Sequence, residues 1–366
     1  MKFYVFSPSL ETLGIISNYS AMTHVRQFAG SGSFKLTAPF TPQLFDLLIS
    51  DNILYWEDRG KLFAVYIDSV ICEAGKGGMY ITASGKNLRA YLTRRIVWNN
   101  INFSGTAEDF GRRVVSEAAI TSIAARRIPL LSLGTRKGIP ISITRKTENE
   151  NIENLMNTIT ASTDVGFDIT LDRVSRRLLF DAYEPADRRT TQTTTPWVIV
   201  SRDRNNVVTE TYTRSELSHR NTALISGYTD ENTGARYEVE ITAGSGLSRK
   251  EVFVSGSTSP PRPNADIGET PAQALTRYRN ELLQRGSEQL AAQVMVESLE
   301  VEPDGPLLDQ LNVGDKVTAM EKQFNLMMQT YVSEITTYYG STGRRIDITL
   351  GDAVPTIYQK IKKELE

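Results

Sequence analysis

The sequence holds a single cysteine, Cys72, and two histidines, His24 and His219, among 366 residues. One thiol excludes an intramolecular disulfide framework and every multi-cysteine zinc site, so stability has to come from burial. A Cys-His or Ser-His catalytic set would need residues far apart in the chain to converge, and all three are read as structural. An excess of charge of one sign is also missing: 41 Lys and Arg stand against 43 Asp and Glu, for a net charge of -2. Such a chain has no overall basic field with which to wrap a polyanion. No stretch approaches the roughly 20 apolar residues that span a bilayer. The opening MKFYVFSPSL lacks the basic start and long apolar run of a signal peptide. The chain is therefore expected to be made and kept in a cytosol, or to leave it by a route that needs no signal. What is present suffices for packed cores: 40% hydrophobic residues, over a length that predicts two or three domains at about 150 residues each.

Residues 1–98 read as strands punctuated by turns. Lys2 to Phe6 alternate, Leu13 to Ile16 are apolar, and Gly30 to Ser33 separates Thr23–Phe28 from Phe34–Thr37. Phe34 and Leu36 are placed inward. Thr41 followed by Pro42 predicts a capped short helix. Ile53–Trp56, Leu62–Val70 and Met79–Thr82 add strands, and the spacing predicts a small barrel or strongly curled sheet. Ser84 is expected to cap a helix carrying Leu88, Tyr91 and Leu92. Residues 99–189 change character: a capping signature at Thr106 to Asp109, helical spacing at Ile152, Leu155, Met156 and Ile159, then paired strands at Gly166–Leu171 and Arg177–Phe180. They predict an α+β unit. Asp187 to Thr195 reads as a linker or long loop. Strand patterns return in 190–260 and 291–352, with a linker and helix at 261–290, where Thr270-Pro271 opens a stripe of Leu275, Tyr278, Leu282 and Leu283. Residues 353–366 form a charged tail. A weak echo between the first and third portions leaves internal duplication open.

The search for chemistry is negative. Gly244 to Lys250 lacks the spacing of a phosphate loop and is read as a hairpin turn; Gly30 to Ser33 fails on the same ground. Asp230-Glu231-Asn232 lacks the ligand spacing of a helix-loop-helix calcium site and is read as a hairpin tip. Glu302 to Pro306 is read as a turn. The basic pairs Arg112-Arg113, Arg126-Arg127, Arg176-Arg177 and Arg188-Arg189, and the run Lys360 to Lys363, are scattered instead of forming one stripe. No catalytic, cofactor-binding or metal-binding residue is assigned, no cofactor is expected, and the chain is read as non-enzymatic.

The order of several segments resembles the tail hub family of tailed phages, whose members are also called tail-associated or tail tip proteins and are related to the baseplate hub of contractile tails. Those segments are Ser20–Phe28 with Gly32–Leu36 leading into Pro39, Ile81–Leu88 closing on Leu92–Ile96, and Ser104–Glu108. They continue in Gly166-Phe167 with Leu179–Tyr183 and Asp187-Arg188, in Asn221–Ala223 with Arg249–Val254, and in Val313–Thr318.

This resemblance implies a mixed β and α+β multidomain protein. Two barrel-like tail-tube-type β domains, residues 1–98 and 190–260 with 291–352, would carry the α+β units outside. It implies a homotrimer forming a ring at the tail tip or baseplate of a virion assembled in the bacterial cytoplasm. The ring would cap or continue the tail tube and meet the distal tail protein ring, the tape measure protein, and tip fibre, spike or receptor-binding proteins. DNA would cross its lumen without specific binding. Relatives continue into a peptidoglycan-cutting domain or a fibre; this chain stops at Glu366, so wall hydrolysis is expected from a separate protein. The alternatives are a peptidoglycan hydrolase and a carbohydrate-binding adhesin.

Overall fold

The computed structural model describes residues 1–351 except 76, 148, 232, 257–258, 264–267, 292, 294, 306–308, 324 and 342. The expected tail at 353–366 with its Lys360 to Lys363 run, Asn232 of the expected hairpin tip, Pro306 of the expected turn and Ser257, Thr258 and Asn264 of the expected linker lie outside the described residues. The chain divides into two compact units, residues 1–211 with 299–351, and residues 212–298.

The first unit opens with β1 (Phe3–Phe6), β2 (Thr12–Ile16), β3 (Ala21–Gln27), β4 (Ser33–Pro39), α1 (Pro42–Leu47), β5 (Ile53–Asp58), β6 (Lys61–Gly75) and β7 (Gly78–Asn87). Local chemistry matches the sequence at α1, where the Thr41 hydroxyl accepts from the Leu44 N–H at 3.1 Å and Pro42 opens the helix. It departs at Ser84, which lies inside β7 opposite Lys35 of β4. The turn that follows, Leu88–Arg94, is 3₁₀ and has no side-chain cap. The amide that could have supplied one, Asn87, is held by His24 and the Val25 carbonyl.

The α+β part adds β8 (Ile101–Thr106), α2 (Ala107–Val115), β9 (Leu131–Leu133), β10 (Ser142–Thr147), α3 (Ile152–Thr163), β11 (Gly166–Asp172) and β12 (Arg177–Tyr183). Thr106 and Asn151 cap the two helices through their side-chain oxygens. Phe110, Val114, Leu155, Met156 and Ile159 pack with Phe167 and Phe180 in one core, which also takes in Phe6, Ile53 and Tyr66 from the first strands.

The remaining strands are β13 (Ile199–Val200), β14 (Val207–Ser215), β15 (Thr222–Thr229), β16 (Arg236–Ile241), β17 (Glu251–Ser255), β18 (Val296–Pro303), β19 (Lys316–Glu321), β20 (Leu326–Gly340) and β21 (Gly343–Gly351), with α4 (Pro271–Ala291) before β18. The main sheet runs β14-β18-β21-β20-β3-β4-β7-β6-β5-β1-β2, with β19 on β20 and β13 on β19. Its order is an open path, and no closed barrel forms among the described residues. The link between early and late strands is the β3–β20 ladder, Ala21 opposite Gly340 through Gln27 opposite Glu334. Alternation decides the buried face: Met22, Phe34, Leu36, Ile81 and Ala83 join Phe3, Trp56 and Ile67 in a second core.

The second unit is a three-stranded sheet, β16-β15-β17, with α4 across one face. Thr270 and Gln273 exchange hydrogen bonds at the start of α4, a reciprocal cap. The buried stripe is Ala274, Tyr278 and Leu282, whereas Leu275, expected inward, is 41% exposed; residues at i, i+4 and i+8 share the face and i+1 does not. The expected hairpin at Gly244 to Lys250 is instead a crossover. β17 runs parallel to β15, and β16 lies antiparallel on the other side of β15, so no hairpin can join β16 to β17.

Candidate functional site

A cavity of about 750 Å³ opens within the first unit. One wall is β3 and the start of β6, whose inward side chains follow the period of two: His24 and Arg26, then Lys61 and Phe63. The facing wall is β11 with Phe167 and Asp168, and the rim is completed by Tyr183 and the segment around Asp315. That segment is held by its own geometry. Gly314 has φ +89° and a Cβ there would lie 2.6 Å from the Phe28 ring, so only glycine fits. The Asp315 carboxylate accepts from the N–H groups of Asn312 at 2.9 Å and Ala186 at 3.1 Å.

His24 is packed edge-on against Trp56 and Phe63, with ring centroids 4.9 and 5.2 Å away. Its Nε2 donates to Asn87 Oδ1 at 2.8 Å. Burial first, then the nearby Arg26 charge, hold its pKa down to about 3, so it stays neutral and serves no acid or base role near neutrality. Arg26 lies over the Phe63 ring at 5.1 Å. Arg89 is buried with Glu153, Nε to Oε2 3.3 Å. Asp168 faces the cavity and remains wetted although protein surrounds it. Burial pushes it up to about 6 against the pull of Arg89 and Arg26. Cys72 is exposed on β6, and His219 belongs to the second unit. Among the described residues no group of three or more His, Cys, Asp or Glu could hold a metal ion. Of the paired arginines, Arg113 meets Glu117 one helical turn away at 2.8 Å and Arg176 donates to the distant Leu10 carbonyl at 3.1 Å.

A second polar feature is the carboxyl pair Glu210 on β14 and Glu321 on β19. Burial first, then the Glu321 carboxyl beside it, push Glu210 up to about 7. Glu321 is lowered, first by the Gln323 N–H donating at 2.8 Å and then by Glu210. The folded state therefore keeps a proton that an ordinary glutamate near 4.5 releases in the unfolded chain. Stability from this site is full below that value and falls as pH rises to about 7. Glu210→Gln should flatten this slope, gaining thermal stability on the wild type between about pH 5 and pH 8; parallel melting curves would show that no proton is shared.

The surface offers two places for a protein partner. β2 ends the sheet order and leaves Leu13 and Ile15 exposed on an unpaired edge. The outer half of the β6–β7 hairpin projects with Ile71, opposite Thr82, 54% exposed and Met79, opposite Ala74, 46% exposed. The sequence reading missed Arg26, Arg89 and Asp168. For Arg26 and Asp168 the signal was a single charged residue within an alternating strand, which a search for basic runs passes over; Arg89, in the 3₁₀ turn, gave none.

No curated protein sequence matches the chain. Solved structures with the same fold include the 43 kDa tail protein of prophage MuSo2 from Shewanella oneidensis, 15% identical with TM-score 0.56, covering 96% of this chain and 98% of that one. A tail protein from Neisseria meningitidis is 12% identical with TM-score 0.57, covering 96% of each chain. A chain of the Francisella PdpA–VgrG complex is 10% identical with TM-score 0.50, covering 97% of this chain and 54% of that one. Residues 2–352 match the family described as Siphovirus ReqiPepy6 Gp37-like protein, and the chain belongs to that family.

Proposed function

We propose that the protein is the structural hub of a phage tail tip or baseplate, a homotrimeric ring that caps or continues the tail tube. The observation that carries this reading is the family match across residues 2–352 on a fold shared end to end with phage tail proteins. The ring joins a distal tail protein ring to the tape measure protein and to tip fibre, spike or receptor-binding proteins, and opens for DNA. Tube-like closure of the sheets is then a property of the ring and not of one chain, and an open strand path with an apolar edge suits it. The near balance of 41 basic and 43 acidic residues suits a lumen that passes DNA without holding it. The work is assembly and not catalysis.

Light scattering on the purified chain, alone and mixed with a distal tail protein, tests the reading. A trimer mass and a joint complex are expected; a monomer that never joins tail particles, or clearing of peptidoglycan in a zymogram, would overturn it. Ile71→Asp, on the projecting hairpin, should reduce the trimer at least tenfold while leaving the melting temperature of the chain within a few degrees, since an exposed substitution costs at most about 0.5 kcal/mol. An unchanged trimer would move the interface elsewhere.

A further inference from the structure

The cavity of the first unit holds opposite charges that do not pair. The Arg26 side chain is half-buried, its Nε is buried without a hydrogen-bond partner among the described residues, and its guanidinium lies over the Phe63 ring at 5.1 Å. Such a group is costly to leave unanswered. Lys61, beside it, reaches only neutral acceptors among the described residues: Asn312 Oδ1 at 2.9 Å and the carbonyls of Leu311 and Asp309 at 3.2 and 3.4 Å. The nearby carboxylates are engaged elsewhere. Asp58 and Asp309 bind Arg344, Asp315 is held by backbone N–H groups, and Asp172 caps its own turn. Asp168, on the facing wall, accepts only from the Ile169 N–H at 2.8 Å and forms no ion pair among the described residues.

We infer that this cavity binds a small zwitterion, a free amino acid or short peptide, with its carboxylate on Arg26 and its ammonium on Asp168. Three observations select this class. The Arg26 guanidinium lies over the Phe63 ring at 5.1 Å and lines the cavity, and a guanidinium fork is the group that meets a planar carboxylate with two parallel hydrogen bonds. The lining carries both signs, Arg26, Lys61 and Arg89 with Asp168, Asp172, Glu184 and Asp315, which suits a ligand that itself carries both charges better than a dianion such as phosphate. A volume of about 750 Å³ holds a ligand of two to three residues.

Glycylglycine, N-acetylglycylglycine and inorganic phosphate, titrated into the full chain with thermal stability and calorimetry as readouts, test the assignment. Glycylglycine should bind and raise the melting temperature, and the acetylated form should bind at least tenfold more weakly. Phosphate should bind more weakly than either. Arg26→Met should melt at or above the wild-type temperature without ligand and lose the glycylglycine response. Asp168→Asn should keep binding but lose the preference for the free amine, so the test survives if Arg26→Met fails to fold. No response to glycylglycine, equal binding of the acetylated form, phosphate binding as tight as the dipeptide, or an intact response in both variants would each overturn it. The hub reading stands or falls separately, on the ring.

Discussion

Leu36→Asp should leave the chain unable to hold its first unit together. Leu36 is fully buried on β4, opposite Met22 of β3 and Ala83 of β7, in the core that contains Phe3, Trp56 and Ile81. Losing the leucine side chain from such a site costs about 2–5 kcal/mol. A carboxylate in its place has no partner within that apolar core, which adds its own burial cost. The sum is at least about 4 kcal/mol, against the roughly 5–15 kcal/mol that holds a typical domain. Denaturant unfolding of Leu36→Asp should show loss of the folded baseline or aggregation on expression. Leu36→Met should lose less than about 1.5 kcal/mol. Lys35→Glu, one residue earlier and exposed, should change little. Because side chains on a strand alternate, these neighbours separate a buried face from an open one. Normal melting of Leu36→Asp together with failure of Lys35→Glu would mean that the face is inverted.

The inward side of β4 is readable from the chain, because its alternation is local. Alternation in Met22 to Arg26 and Phe34 to Leu36 identifies strands and their inward sides, because burial on one face imposes the period. Capping at Thr41, Thr106 and Thr270 is local, and the side chains that would close each helix start are visible within four residues. Pairing is not local. Nothing in the sequence of β3 requires β20, more than 300 residues later, as its neighbour, so what reads as two separate barrels shares one ladder. The same limit made Gly244 to Lys250 look like a hairpin: its glycines report a turn, while the direction of the next strand depends on β15. The cavity was less legible still. His24 and Arg26 lie two apart, as strand residues on one face must, but Arg89 sits in the 3₁₀ turn after β7 and Asp168 comes from a strand of the α+β part. Only the packing of β11 across β3 and β6 brings them to one space. Family membership was legible because it depends on the order of many weak segments, a property of the chain and not of any contact.

Arg89→Met should cost about 3–5 kcal/mol, through the charge that it leaves behind. Arg89 and Glu153 have side chains only 3% and 6% exposed. The guanidinium also donates to the Phe28 carbonyl at 3.1 Å and to Asn157 Oδ1. The other Glu153 oxygen accepts from Ser31 Oγ at 2.6 Å. One pair thus ties the 3₁₀ turn after β7, the end of β3 and the first turn of α3. Without Arg89 the Glu153 carboxylate keeps a single hydroxyl donor in a nearly dry site, and the Phe28 carbonyl loses its partner as well. Glu153→Met should be comparably harmful, since it strands the cation. The double substitution removes both charges and replaces them with apolar volume, so it should lose much less than the sum of the singles, a coupling of about 2 kcal/mol or more. Denaturant midpoints of the four proteins decide the matter. Additive losses would mean that the two residues act independently and that their hydrogen bonds to Phe28, Asn157 and Ser31 matter more than the ion pair. Single losses under about 1 kcal/mol would mean that water reaches the pair, because a solvated charge tolerates the loss of its partner and a buried one does not.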